Sequence, residues 1–133
     1  MESRDLKPRR GDTHFYTFQR RTKDGDVILE KADAIYFTVK DKALPDKFLI
    51  QKTIDDMQFD PDGSYHFRLE PSDTANLKFT EYVYDLEVIH DGITTTIADG
   101  KFIVRREVTF ISNEGWRLWK KYMKKSISPL KKN

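Results

Sequence analysis

Apolar residues in this 133-residue chain recur mostly at every second position. That is the period of a strand with one buried face. Ile35, Phe37 and Val39 alternate with Tyr36, Thr38 and Lys40, and Tyr65, Phe67 and Leu69 alternate with His66, Arg68 and Glu70. Tyr82, Tyr84, Leu86 and Val88 alternate with Val83, Asp85, Glu87 and Ile89. Phe15 to Phe18, Phe48 to Ile54, Ile93 to Ile97 and a last run through Phe102 and Val104 predict further strands. Between them lie turn signals: Lys23-Asp24-Gly25-Asp26, Ala43-Leu44-Pro45-Asp46 and Asp60-Pro61-Asp62-Gly63. Asp91-Gly92 predicts a two-residue hairpin, and Asp99-Gly100 predicts a bulge in the last strand. Pro71 to Leu77 breaks the alternation as a short helical turn. About seven short strands at this spacing predict an antiparallel sandwich. No long helical pattern separates the strands, which argues against a parallel α/β sheet.

The period changes only near the end. Trp116, Trp119 and Met123 recur at helical spacing, with Leu118 and Tyr122 beside them. Ser112 or Asn113 can cap this helix, Glu114 suits its positive end, and Ser128-Pro129 stops it. The sequence thus predicts an all-β, immunoglobulin-like antiparallel β-sandwich over residues 11–110, a basic N-terminal arm over 1–10, and a basic amphipathic helix and tail over 111–133.

Charge sharpens this division. The formal net charge is only +2, yet residues 117–133 carry seven positives and no acid. Residues 1–21 hold six positives against three acids, and residues 22–115 hold eleven against nineteen. An acidic middle between basic ends predicts ends that reach for a partner while the middle folds. The 13% aromatic content is enough for one ring-rich core. The absence of cysteine excludes disulfides and thiol chemistry. The first residues have no apolar h-region, so a signal peptide is not expected, and no apolar run approaches the ~20 residues of a membrane span.

Catalytic patterns are missing. His14, His66 and His90 are far apart in the chain and read as solvated or hydrogen-bonded side chains. The Asp-Gly clusters lack calcium-loop spacing and read as turns, and Asp55-Asp56 reads as a solvated corner. There is no Gly-x-Ser-x-Gly elbow and no phosphate-cradling glycine loop. The expectation is a non-enzyme with no catalytic, cofactor-binding or metal-ligating residues. The partner-binding candidates are Trp116, Trp119 and Met123 with Arg117, Lys120, Lys121, Lys124 and Lys125. This tail can be read three ways: docking on protein, binding nucleic acid by phosphate contact and stacking, or lying on an anionic membrane. Docking on protein, either its own body or a neighbour, is favoured, because a helix this short needs packing to be stable.

Several segments together resemble a known family. They are Gly11-Asp12-Thr13, Ala32 to Val39, Gln51-Lys52-Thr53, Tyr65 to Pro71, Glu81 to Val88 and Gly100 to Val104. The pattern is similar to the small immunoglobulin-like β-sandwich virion proteins of tailed bacteriophages, such as the N-terminal domain of the phage upper baseplate protein. The resemblance implies a non-enzymatic structural subunit or adaptor of tail, baseplate or head. It implies assembly in many copies against other virion proteins, synthesis in the host cytoplasm, and no cofactor or membrane. Baseplate proteins continue into long trimerising regions, whereas here only a short basic helix follows. This departure from the family pattern bears against a direct role in holding a receptor-binding protein and leaves open a head, neck or tail accessory subunit. The rival expectation is a nucleic-acid-binding protein that uses the tail.

Overall fold

The computed structural model describes residues 2–106. They form an all-β body of two sheets. The strands are β1 (Glu2–Ser3), β2 (His14–Gln19), β3 (Ala34–Lys40), β4 (Phe48–Thr53), β5 (Gln58–Phe59), β6 (Ser64–Leu69), β7 (Glu81–His90) and β8 (Ile93–Ile103). One sheet runs β1-β8-β7-β3-β4 and the other β2-β6-β5. All pairs are antiparallel except β1 with β8.

Alternation sets which face is buried. On β7, Tyr82, Tyr84, Leu86 and Val88 are buried, and on β3 so are Ile35, Phe37 and Val39. From the smaller sheet Tyr65, Phe67 and Leu69 point to the same core. Rings join the two sheets. Phe37 lies 4.9 Å from Phe67, 5.6 Å from Tyr84 and 6.3 Å from Tyr16, measured between centroids. Tilted and offset contacts of this kind add to burial through the ring quadrupoles. The buried phenol of Tyr65 is satisfied, since it accepts the Ala32 N–H at 3.0 Å.

The connections follow local chemistry. Asp91 and Gly92 both take positive φ, 52° and 76°, and join His90 to Ile93 as the sequence predicts. Pro71 opens a four-residue helix, α1 (Pro71–Thr74), where its missing N–H costs nothing. Asp73 accepts the Glu70 N–H and pairs with Lys52 of β4 at 2.9 Å. Tyr82, at the start of β7, accepts the Lys78 N–H through its hydroxyl. The segment joining β4 to β5 forms a 3-10 turn at Ile54–Asp56, and Asp55 and Asp56 in it are exposed, a solvated corner with a helical backbone.

Two features differ from the pattern reading. The bulge predicted at Asp99-Gly100 lies earlier, where β7 shifts register between Leu86 and Glu87 and Ile97 is the extra residue. Gly100 has another use: a Cβ there would collide with the Arg4 carbonyl. That close approach belongs to the second difference. The basic segment predicted as an arm runs along β8. Arg4 N–H donates to Asp99 O, Leu6 N–H to Lys101 O, Ile103 N–H to Leu6 O and Arg105 N–H to Pro8 O. Pro8 is fully buried and Leu6 packs on the core. Gly11 N–H donates to the buried Thr74 hydroxyl at 2.9 Å, which fixes the far end of the segment. A parallel pairing of residues about 96 apart leaves no local signature in sequence. The predicted helix and tail over 111–133 lie outside the described residues.

Candidate binding cleft

The seams between the sheets differ. On the β4 side the chain crosses directly from one sheet to the other through Ile54–Met57, and both end residues pack on the core. On the β8 side, between β2 and the first half of β8, a cleft of about 810 Å³ remains. Thr17, Gln19 and Ser64 stand on one wall and Thr95, Thr96 and Ile97 on the other. A second lobe of about 280 Å³ continues past Ile28 to Val88, His90 and Ile93.

Arg20 lines both lobes. Along β2 the inward positions are Tyr16 and Phe18, and the next position of that register is Arg20. It is 8% exposed. One of its terminal nitrogens donates to the Glu30 carbonyl. Its Nε is buried with no hydrogen-bond partner, and no carboxylate lies within ion-pair distance among the described residues. A buried guanidinium facing only dipoles loses several kcal/mol of hydration that nothing fully replaces. The acids that border the cleft are engaged elsewhere: Glu2 with Arg4 at 3.7 Å, and Asp91 with His90. Arg21, at the rim, donates to the Gly25 carbonyl and the Gln19 side chain.

His90 ends the second lobe and continues the inward register of β7. Carboxylates surround it: Glu30 at 3.3 Å and Asp91 at 3.6 Å from Nε2, and Asp33 at 3.6 Å from Nδ1. The sequence reads His90 as a solvated or hydrogen-bonded side chain, and the fold gathers these acids around it from distant parts of the chain. The ligand atoms of Asp33, His90 and Asp91 lie within 4.8 Å of one another, a set able to approach a divalent cation. Asp33 already accepts the Asp91 N–H at 2.9 Å, so its observed work is to brace the β7–β8 hairpin. Sequence distance hid the group, since Glu30 and Asp33 precede β3 while His90 ends β7.

On the outer face of the smaller sheet, His66 Nδ1 meets the Thr17 hydroxyl at 2.9 Å and Nε2 meets Asp60 at 2.8 Å. The Gln58 amide and then His66 hold the Asp60 carboxyl below its ordinary value. A hydroxyl–imidazole–carboxylate row formally resembles a nucleophile relay. Here Thr17 and His66 are direct cross-strand partners on a solvent-facing surface, where water screens the charges.

Of the sequence-predicted residues, Trp116, Arg117, Trp119, Lys120, Lys121, Met123, Lys124 and Lys125 all lie outside the described region. The cleft residues were not among the candidates. The signal for Arg20 and His90 was present in the alternation, as polar residues occupying the next inward position of an apolar register. No family model matches the chain, and comparison with curated proteins gives no match.

Proposed function

We propose that this chain is an immunoglobulin-like structural subunit of a tailed-phage particle and works by protein–protein contact. The strand order supports the fold reading. Lettered in the immunoglobulin manner, β2, β5 and β6 are strands B, D and E, and β3, β4, β7 and β8 are C, C′, F and G. The sheets then run B-E-D and G-F-C-C′, with β1 alongside G. Tyr82 resembles the tyrosine corner of such folds: it opens strand F and its hydroxyl bonds backbone four residues upstream. The Phe37 ring cluster occupies the centre, where antibody domains carry a tryptophan and a disulfide.

The observation that carries the binding role is an unpaired apolar edge. Among the described residues β4 pairs only with β3. It exposes Phe48 at 57% and Leu49 at 42%, next to Leu44 in the preceding loop. An edge strand with bare backbone and large apolar side chains is a template for association. The tail residues Trp116, Trp119 and Met123 supply further anchors, with the lysines steering toward acidic partners. The test is cryo-electron microscopy and protein analysis of purified particles. The two-sheet body is expected in many copies on head, neck or tail, and a folded Phe48→Ser, Leu49→Ser variant is expected to be lost from them. Particles without the chain overturn the reading. So does tight, steeply salt-sensitive oligonucleotide binding that Lys124→Gln with Lys125→Gln removes.

A further inference from the structure

We infer that the cleft between β2 and β8 is a receptor for an extended segment of a partner protein that carries a carboxylate to Arg20. The inference deepens the protein-binding reading above and rests on it. Arg20 is more than nine-tenths buried, its Nε has no partner, and its side chain lines both lobes of the cleft. A charge held in this way is completed by an anion, and a carboxylate matches the planar guanidinium fork.

The walls point to a strand as the carrier. The outer edge of β2 is unpaired among the described residues. β8 pairs with the N-terminal segment only from Ala98 onward, so the outer edge of Ile93–Ile97 is also unpaired among them. A four-stranded immunoglobulin sheet of order A-B-E-D carries a strand A beside B. Here that place beside β2 is the cleft. Its volume of about 810 Å³ lies in the range, roughly 300–1,000 Å³, of clefts that enclose a ligand. Thr95 and Thr96, on the β8 wall, offer hydroxyl groups to a polar backbone. A strand laid there takes main-chain hydrogen bonds from an open edge and places one side chain in two toward Arg20.

The test uses the full chain with two blocked hexapeptides, Thr-Val-Glu-Val-Thr-Val and its Gln counterpart, followed by nitrogen-15 NMR. The Glu peptide is expected to shift the Arg20 Nε–H resonance and the amides of residues 93–97. It is expected to bind at least about tenfold more tightly than the Gln peptide, as a hydrogen bond to a charged group requires. Arg20→Met is expected to erase that preference while leaving the remaining spectrum in place. Equal binding of the two peptides, or no response at Arg20 at millimolar peptide, overturns the inference. So does saturation of the same resonances by acetate or inorganic phosphate at concentrations where the Glu peptide is silent, since the cleft would then hold a small anion. Peptide failure with the chain present in particles sinks this inference alone. Peptide binding with the chain absent from particles sinks only the virion assignment.

Discussion

Two cations of the described body, the half-buried Lys52 and the buried Arg20, stand on opposite seams and are held differently. Lys52 on β4 meets Asp73 of α1 at 2.9 Å, across from one sheet to the turn that follows the other. Asp73 is also held by the Glu70 N–H, so the acid is fixed before it meets its base. That seam is further closed by a covalent crossing at Ile54–Met57. Arg20 lies deeper, has one carbonyl partner and faces a cleft. A closed seam spends its charge on stability within the chain. An open seam leaves hydrogen-bonding capacity unused, at an energetic cost.

The most severe way to break this contrast is to remove what both seams share. Phe37→Ala is expected to cost about 3–5 kcal/mol, by loss of burial and a cavity between the sheets. Urea unfolding measures it, and a loss below about 1 kcal/mol would show that the sheets do not depend on this ring. Next comes the closed seam. Lys52→Met should cost about 1–2 kcal/mol, because Asp73 is left partly buried without its base. Asp73→Asn in the same background should then add little, a coupling that a double-mutant cycle reads directly.

A pH experiment sharpens the picture of the interior. Burial, and then the neighbouring Tyr84, push the Tyr16 phenol up from 10.0 to about 12. The neutral ring is therefore favoured in the folded state. Its contribution is fully present below pH 10 and is lost as pH rises toward 12. The half-buried position limits the effect to about 1–2 kcal/mol. Unfolding free energies at pH 9 and pH 11.5 should differ by that amount, and Tyr16→Phe should flatten the difference. The smallest effect is expected at the open seam. Arg20→Met should leave the isolated chain within about 1 kcal/mol of wild type, on the stabilising side, since it removes an uncompensated charge. A melting temperature lowered by ten degrees would mean that Arg20 is already satisfied and that the seams do not differ.

Much of the fold was legible because its signals are local. The period-2 runs of β3, β6 and β7 give their own buried faces, and Asp91-Gly92 gives its own hairpin. The N-terminal segment was hidden for the opposite reason. Leu6 and Pro8 are two apolar positions among charged residues, too few to read as a strand, and their stability comes from β8, almost a hundred residues away. Charge pattern alone separated that segment from the body, although Arg10 in it donates to the Leu77 carbonyl and lies over the Phe79 ring. The cleft was half legible. Arg20 and His90 extend apolar registers, which marks them as inward-facing. That Arg20 lacks a carboxylate while His90 gathers three depends on which loops meet at the seam, and no spacing encodes it.

The parallel run of the N-terminal segment along β8 also fixes how the body bears load. Residue 2 lies beside Ala98, and Arg10 donates its N–H to Arg105 at the other end of the run. Tension applied through residue 2 and residue 106 therefore pulls the two strands along their lengths in opposite directions. The bonds from Arg4, Leu6, Ile103 and Arg105 share the strain at once and do not peel one by one. Load applied across this run is therefore met in shear, the direction in which a short ladder of hydrogen bonds yields last.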